Sequence, residues 1–100
     1  MGIRNKEIIA PATGEVTSGA FSVFGTQAVT ADVLGTGESV KIQYTHDGEV
    51  WQDLYLNGVL QEITSDHSII TMQGPGLFRC IKSVTAASVG VNLWITGAEQ

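Results

Sequence analysis

The sequence has little of what most protein chemistry requires. Its single cysteine, Cys80, leaves no partner for an intrachain disulfide or a cysteine-paired metal site. Only two prolines are present, against twelve glycines, so the turns fall mostly to glycine. Charged residues make up 15% of the chain, and the five cations are scattered at Arg4, Lys6, Lys41, Arg79 and Lys82. A nucleic acid backbone is held by a clustered basic face that displaces condensed counterions. No such face is visible, and nucleic acid is not an expected partner. The formal charge of −5 favours solubility and discourages nonspecific contact with DNA. No stretch reaches the roughly 18 apolar residues of a membrane-spanning helix, and no membrane partner is expected. The apolar stretch Ile8, Ile9, Ala10 is too short for a signal-peptide core, so synthesis in a reducing cytoplasm is the expectation.

Helical spacing of apolar residues is missing as well. Alternation with period two takes its place, broken by glycine-containing turns. The 43% hydrophobic content excludes a disordered tail and supports one domain with its own core. From Glu38 to Thr45, residues Val40, Ile42 and Tyr44 point one way and Lys41, Gln43 and Thr45 the other. The first set is expected in a core and the second in water. Asp47-Gly48 and Asn57-Gly58 read as hairpin turns, with return strands over 50–56 and 59–63. Further strands are expected at 19–24, 27–34, 68–72, 77–82 and 89–95. About seven or eight strands with frequent turns predict an all-β fold, an antiparallel β-sandwich of Ig-like or jelly-roll-like type, with a closed barrel as the alternative. Residues 1–14 lack alternation, and Pro11 would interrupt a central strand. They are expected to form an extended N-terminal arm, and residues 15–100 a single β-sandwich domain. The arm is either a frayed terminus or a docking segment.

Chemistry-bearing residues do not assemble into a pattern. His46 and His67 fall in predicted turns. Cys80 sits inside a predicted strand, where a cysteine is usually a small buried hydrophobe. The carboxylates at Glu15, Asp32, Glu38, Asp47, Glu49, Asp53, Glu62 and Asp66 fall mostly at turns or on solvent faces. Asp47, Glu49 and Asp53 suggest calcium, but not at the spacing of an EF-hand loop. Gly35-Thr36-Gly37 has no following helix to bind phosphate and reads as a turn. No catalytic residue, metal or cofactor is therefore expected. Trp94 lies on the face opposite Val91, Leu93 and Ile95. It is either a ligand platform or interface anchor, or it packs beneath the arm or the other sheet. Trp51 reads as a core or hairpin-flanking residue.

Three segments carry a resemblance. Val40 to Leu54 (VKIQYTHDGEVWQDL) resembles a strand, an Asp-Gly turn, then tryptophan and an acidic residue, as found in small β-sandwich virion proteins of tailed bacteriophages. Gly76 to Ile81 (GLFRCI) resembles that family's Pro-Gly, aromatic, arginine, apolar strand. Ala87 to Ile95 (ASVGVNLWI) resembles its closing alternating strand. Together they cover about residues 15–95. The resemblance implies a non-enzymatic capsid decoration or cement protein on the outer shell of the virion. Its expected partners are the major capsid protein and, in a homo-oligomer, itself. Ile3, Arg4, Ile8, Ile9, Pro11 and Trp94 are the candidate interface residues. A tail or head-tail accessory module, or a carbohydrate-binding module using Trp51 or Trp94, is the alternative. The hairpin is also similar to stretches of discoidin-like domains and of sialidase Asp-boxes, without a matching remainder.

Overall fold

Strands of alternating polarity bury one face each, and two such sheets can share a single core. The chain takes that solution. The computed structural model describes residues 3–96, with side chains over 5–94. One sheet has four strands in the order β1 (Ile3–Ala12), β12 (Val89–Thr96), β4 (Thr26–Ala31) and β10 (Ile69–Gln73). The other is built on β11 (Gly76–Lys82) and β5 (Val40–Thr45). On its far side β11 pairs with β2 (Val16–Thr17) and β3 (Phe21–Val23). On its far side β5 pairs with β6 (Gln52–Asp53) and β9 (Glu62–Ile63). All these pairings are antiparallel. Val29, Ile70, Met72, Val91 and Leu93 from the first sheet meet Val23, Val40, Ile42, Phe78 and Cys80 from the second in one apolar cluster. Each of the Val, Leu, Ile, Met and Phe side chains among these, fully buried, contributes roughly 1.5–3 kcal/mol of transfer free energy. The all-β antiparallel fold is as the alternation predicts.

Twelve strands appear among the described residues, more than the expected seven or eight. β1 and β2 account for part of the excess, and one excursion accounts for the rest. The run 50–56 divides at Leu54, and the run 59–63 divides at Gln61. Between those points the chain leaves the sheet as a two-stranded ribbon, β7 (Tyr55–Leu56) and β8 (Val59–Leu60). Asn57 and Gly58 turn it, with φ of 53° and 78°, the doubly positive geometry of a type I′ hairpin. At its base the Leu54 amide donates to the Ile42 carbonyl (3.0 Å), the Ile42 amide to Gln61 (3.2 Å) and the Gln61 amide to Leu54 (2.8 Å). The sheet thus closes beneath the ribbon.

The N-terminal arm is not seen. Residues Ile3–Ala12 run antiparallel along β12, with Asn5 opposite Trp94 and Ile9 opposite Val91. Ile9 is 2% exposed and belongs to the core, and Ile8 packs against it. Register shifts lie between Glu7 and Ile9 and between Ile9 and Ala12. An extra residue at a bulge lets both isoleucines approach the core and destroys the alternation that would have announced a strand. Pro11 is tolerated because β1 is an edge. It lies over Gly90, where a Cβ would stand 3.1 Å from the proline ring and 3.3 Å from the Ile9 carbonyl. The side chains of Ile3 and Arg4 lie outside the described residues.

A second correction concerns Thr45, expected in water and only 7% exposed. Its hydroxyl donates to the Val50 carbonyl (2.7 Å) and accepts the Gly48 amide (3.0 Å). Turn organisation, and not sheet polarity, sets its position.

Candidate interaction surfaces

The outer face of the four-stranded sheet follows from register. Asn5 and Glu7 of β1 lie beside Trp94 and Asn92 of β12, which lie beside Ala28 and Thr30 of β4; Thr71 and Ile69 of β10 complete the rows. Glu7 is the only formally charged side chain among these. Trp94 is half-buried, and its Nε1–H donates to Thr30 Oγ1 at 2.7 Å. That bond ties the indole to the neighbouring strand. Trp94 therefore does not pack in the core or beneath an arm. It is a fixed aromatic group amid small amides, hydroxyls and a methyl.

The outer face of the other sheet carries a ladder that sequence reasoning missed. The Gln43 amide donates to Asp53 Oδ1 (2.8 Å), and Arg79 Nε–H donates to Gln43 Oε1 (2.8 Å). The Arg79 guanidinium carbon stands 4.5 Å from the Trp51 ring centroid, within range of a cation–π contact. One face of Trp51 is thereby occupied. The signal was available in outline, because Gln43 and Asp53 flank the Asp47-Gly48 hairpin and pair directly. Arg79 comes from a strand distant in sequence, and only tertiary register brings it opposite Gln43.

The residues considered for chemistry are dispersed. Cys80 is fully buried, and burial pushes its thiol up to about 12. A nucleophilic cysteine requires the opposite shift and an exposed setting. His46 packs edge-on against Tyr44, with ring centroids 5.3 Å apart, and His67 lies in an exposed turn bridged to Thr64. The Asp47 carboxylate accepts the Val50 and Glu49 amides (3.0 and 2.8 Å) and the Thr45 hydroxyl (3.1 Å). Those bonds, that from Val50 foremost, lower its pKa. Asp47 is thus a turn-capping group, while Asp53 is engaged in the ladder. Among the described residues no three His, Cys, Asp or Glu side chains are placed to share a metal ion.

One buried polar centre holds the loops at one end of the two sheets. Lys82 is 0% exposed, in the same strand phase as Phe78 and Cys80. Its Nζ donates to the Gly14 carbonyl (2.7 Å), the Ser83 carbonyl (2.9 Å) and Thr85 Oγ1 (3.2 Å). The Thr85 amide in turn reaches the Thr13 carbonyl (2.9 Å). Nearby, the Glu38 carboxylate accepts the Gly35 amide (2.7 Å) and the Ala86 amide (2.9 Å). These bonds, that from Gly35 first, lower its pKa. The ammonium and the carboxylate thus staple the end of β1 and the loops before β5 and β12.

Compared with known proteins, the chain matches no family model, no curated protein and no solved structure.

Proposed function

We propose that the protein is a structural docking module, a capsid decoration protein on the outer surface of a phage virion, made in the host cytoplasm. An Ig-like or jelly-roll-like sandwich is the finer fold reading that accompanies it. The likeness of the Val40–Leu54, Gly76–Ile81 and Ala87–Ile95 segments to virion proteins suggests the partner, the major capsid protein. The observation that carries the docking reading is Trp94, held by Thr30 on a sheet face of nearly neutral side chains. A pre-fixed tryptophan loses little rotamer freedom on contact and is the residue type most enriched at binding hot spots. Pro11 and the exposed rim of β1 border the same face. The docking element is then this face, and not a detachable arm.

The test is saturation binding to expanded, undecorated phage capsids, read by occupancy in electron microscopy. Wild-type protein is expected to bind at fixed stoichiometry, and Trp94→Ala to lose at least tenfold in affinity. Unchanged occupancy for Trp94→Ala rejects this face. Carbohydrate binding is the second reading, favoured by the amide and hydroxyl neighbours Asn5, Asn92, Thr30 and Thr71. A specific glycan-array signal lost in Trp94→Ala, with no capsid binding, selects it.

A further inference from the structure

We infer that β10 is a docking edge for a second copy of this chain, whose own β10 pairs antiparallel with it and joins the two four-stranded sheets into one. The inference stands independently of the capsid reading.

β10 ends its sheet, with β4 on one side. Among the described residues no backbone hydrogen bond is made on its other side. Free N–H and C=O groups on such an edge are a template for another strand. Proteins blunt these edges with lysine, proline, bulges or a covering segment. β10 has none of the first three. Ile69-Ile70-Thr71-Met72-Gln73 is uncharged, and its pairing with β4 runs without a register shift. The ribbon β7–β8 stands nearby but leaves clefts of about 290 Å³ and 230 Å³ between itself and the edge. Leu56 and Met72 line the first, and Val59 and Ile70 the second.

Charge permits a second copy as the occupant, and register favours it. The chain carries −5, so two copies repel over most approaches. Ser68–Gln73 and Tyr55–Leu60 hold no formal charge, and in the lining of the two clefts Glu62 is the one carboxylate. The strand is also self-complementary. Antiparallel pairing centred on Thr71 places Thr71 opposite Thr71 of the second copy, Ile69 opposite its Gln73, and Ile70 opposite its Met72. Outward residues meet outward ones, and inward meet inward, as the pleat demands. The exposed side chains of Leu56 (47%) and Val59 (62%), which line those clefts, and of Ile69 (50%) on the edge itself gain cover from the same approach. An interface below about 1,200 Å² in total is weak and reversible. The two-fold axis of such a pair is isologous and leaves both Trp94 faces on the same side.

Sedimentation equilibrium of the purified chain tests this. The mass is expected to rise from 10.6 kDa toward twice that value, with a midpoint on the order of tens of micromolar. Thr71→Lys sets two ammonium groups directly opposite each other at the centre of the pair. It is expected to raise the midpoint at least tenfold while leaving the circular dichroism spectrum unchanged. Lys6→Glu, on the opposite edge of the sheet, is expected to leave association intact. A wild-type chain that stays monomeric to about 0.5 mM, a Thr71→Lys chain that associates like wild type, or loss of association in Lys6→Glu alone would overturn the inference.

Discussion

The two edges of the four-stranded sheet are built in opposite ways. β1 is long, shifted in register at two places, interrupted in its donors by Pro11 and charged at Lys6 and Glu7. It is also anchored, by Ile9 in the core and by bonds from Thr85 and Lys82 to the carbonyls of residues 12–14. β10 is short, regular, uncharged and unanchored on its outer side. The difference teaches that exposure of an edge and availability of an edge are separate properties. A charged, bulged edge is exposed and closed to partners, whereas a flat neutral one is open.

The largest effect that sharpens this contrast is expected from Ile9→Ala. Truncating a core isoleucine costs about 2–5 kcal/mol, measurable by urea denaturation. A change as small as a surface substitution gives would return β1 to the status of a loose arm. Removing residues 2–12 should for the same reason unfold the domain. Next in size is Lys82→Met, which leaves three oxygens without their donor. A loss of about 1–3 kcal/mol is expected, with faster amide exchange in the loop 83–88. An unchanged midpoint would show that the staple contributes nothing to anchoring β1.

Acid should weaken the staple at Glu38 and the turn capped by Asp47. The folded-state pKa of Glu38 is lowered by the Gly35 and Ala86 amides, and that of Asp47 by the Val50 and Glu49 amides. A lowered carboxylate contributes stability that is present above its unfolded pKa and lost as pH falls through the folded value. Thermal stability is therefore expected to fall as pH drops below the ordinary values of 4.5 and 3.8. Glu38→Gln and Asp47→Asn should flatten that slope. The thiol behaves with the opposite sign. Raised to about 12 by burial, Cys80 stabilises the fold below its ordinary value of 9.0 and loses that contribution as pH rises toward 12. A thiol reagent should accordingly label Cys80 only after unfolding. The smallest stability effect is expected at β10 itself, where Thr71→Lys should stay within about 0.5 kcal/mol of wild type in dilute solution.

How much of this was legible in the sequence follows from the periodicity rule itself. Strands with unbroken alternation, such as 40–45, 77–82 and 89–95, announced themselves, and so did the Asn57-Gly58 turn. β1 did not, because its bulges set Ile8 and Ile9 on the core together and erased the two-residue period. The ribbon was read as parts of two longer strands, since nothing local marks Leu54 and Gln61 as the points where the chain leaves the sheet. Lys82 shares the inward phase of Phe78 and Cys80, so its burial could have been read from the strand. Its three oxygen partners come from loops that only the fold brings near. Trp94 was placed correctly on the outward face, but its bond to Thr30 depends on β4 lying next to β12, a pairing that no local pattern encodes. The Trp51–Arg79 contact is of the same kind.

Residue-resolved amide hydrogen exchange across a dilution series tests the account most directly. The β1 amides bonded to β12 should stay protected at every concentration. The edge-facing amides of Ile69–Gln73 should exchange fast when dilute and slow as the protein is concentrated. Rapid exchange throughout β1, or edge-facing β10 amides indifferent to concentration, would contradict it.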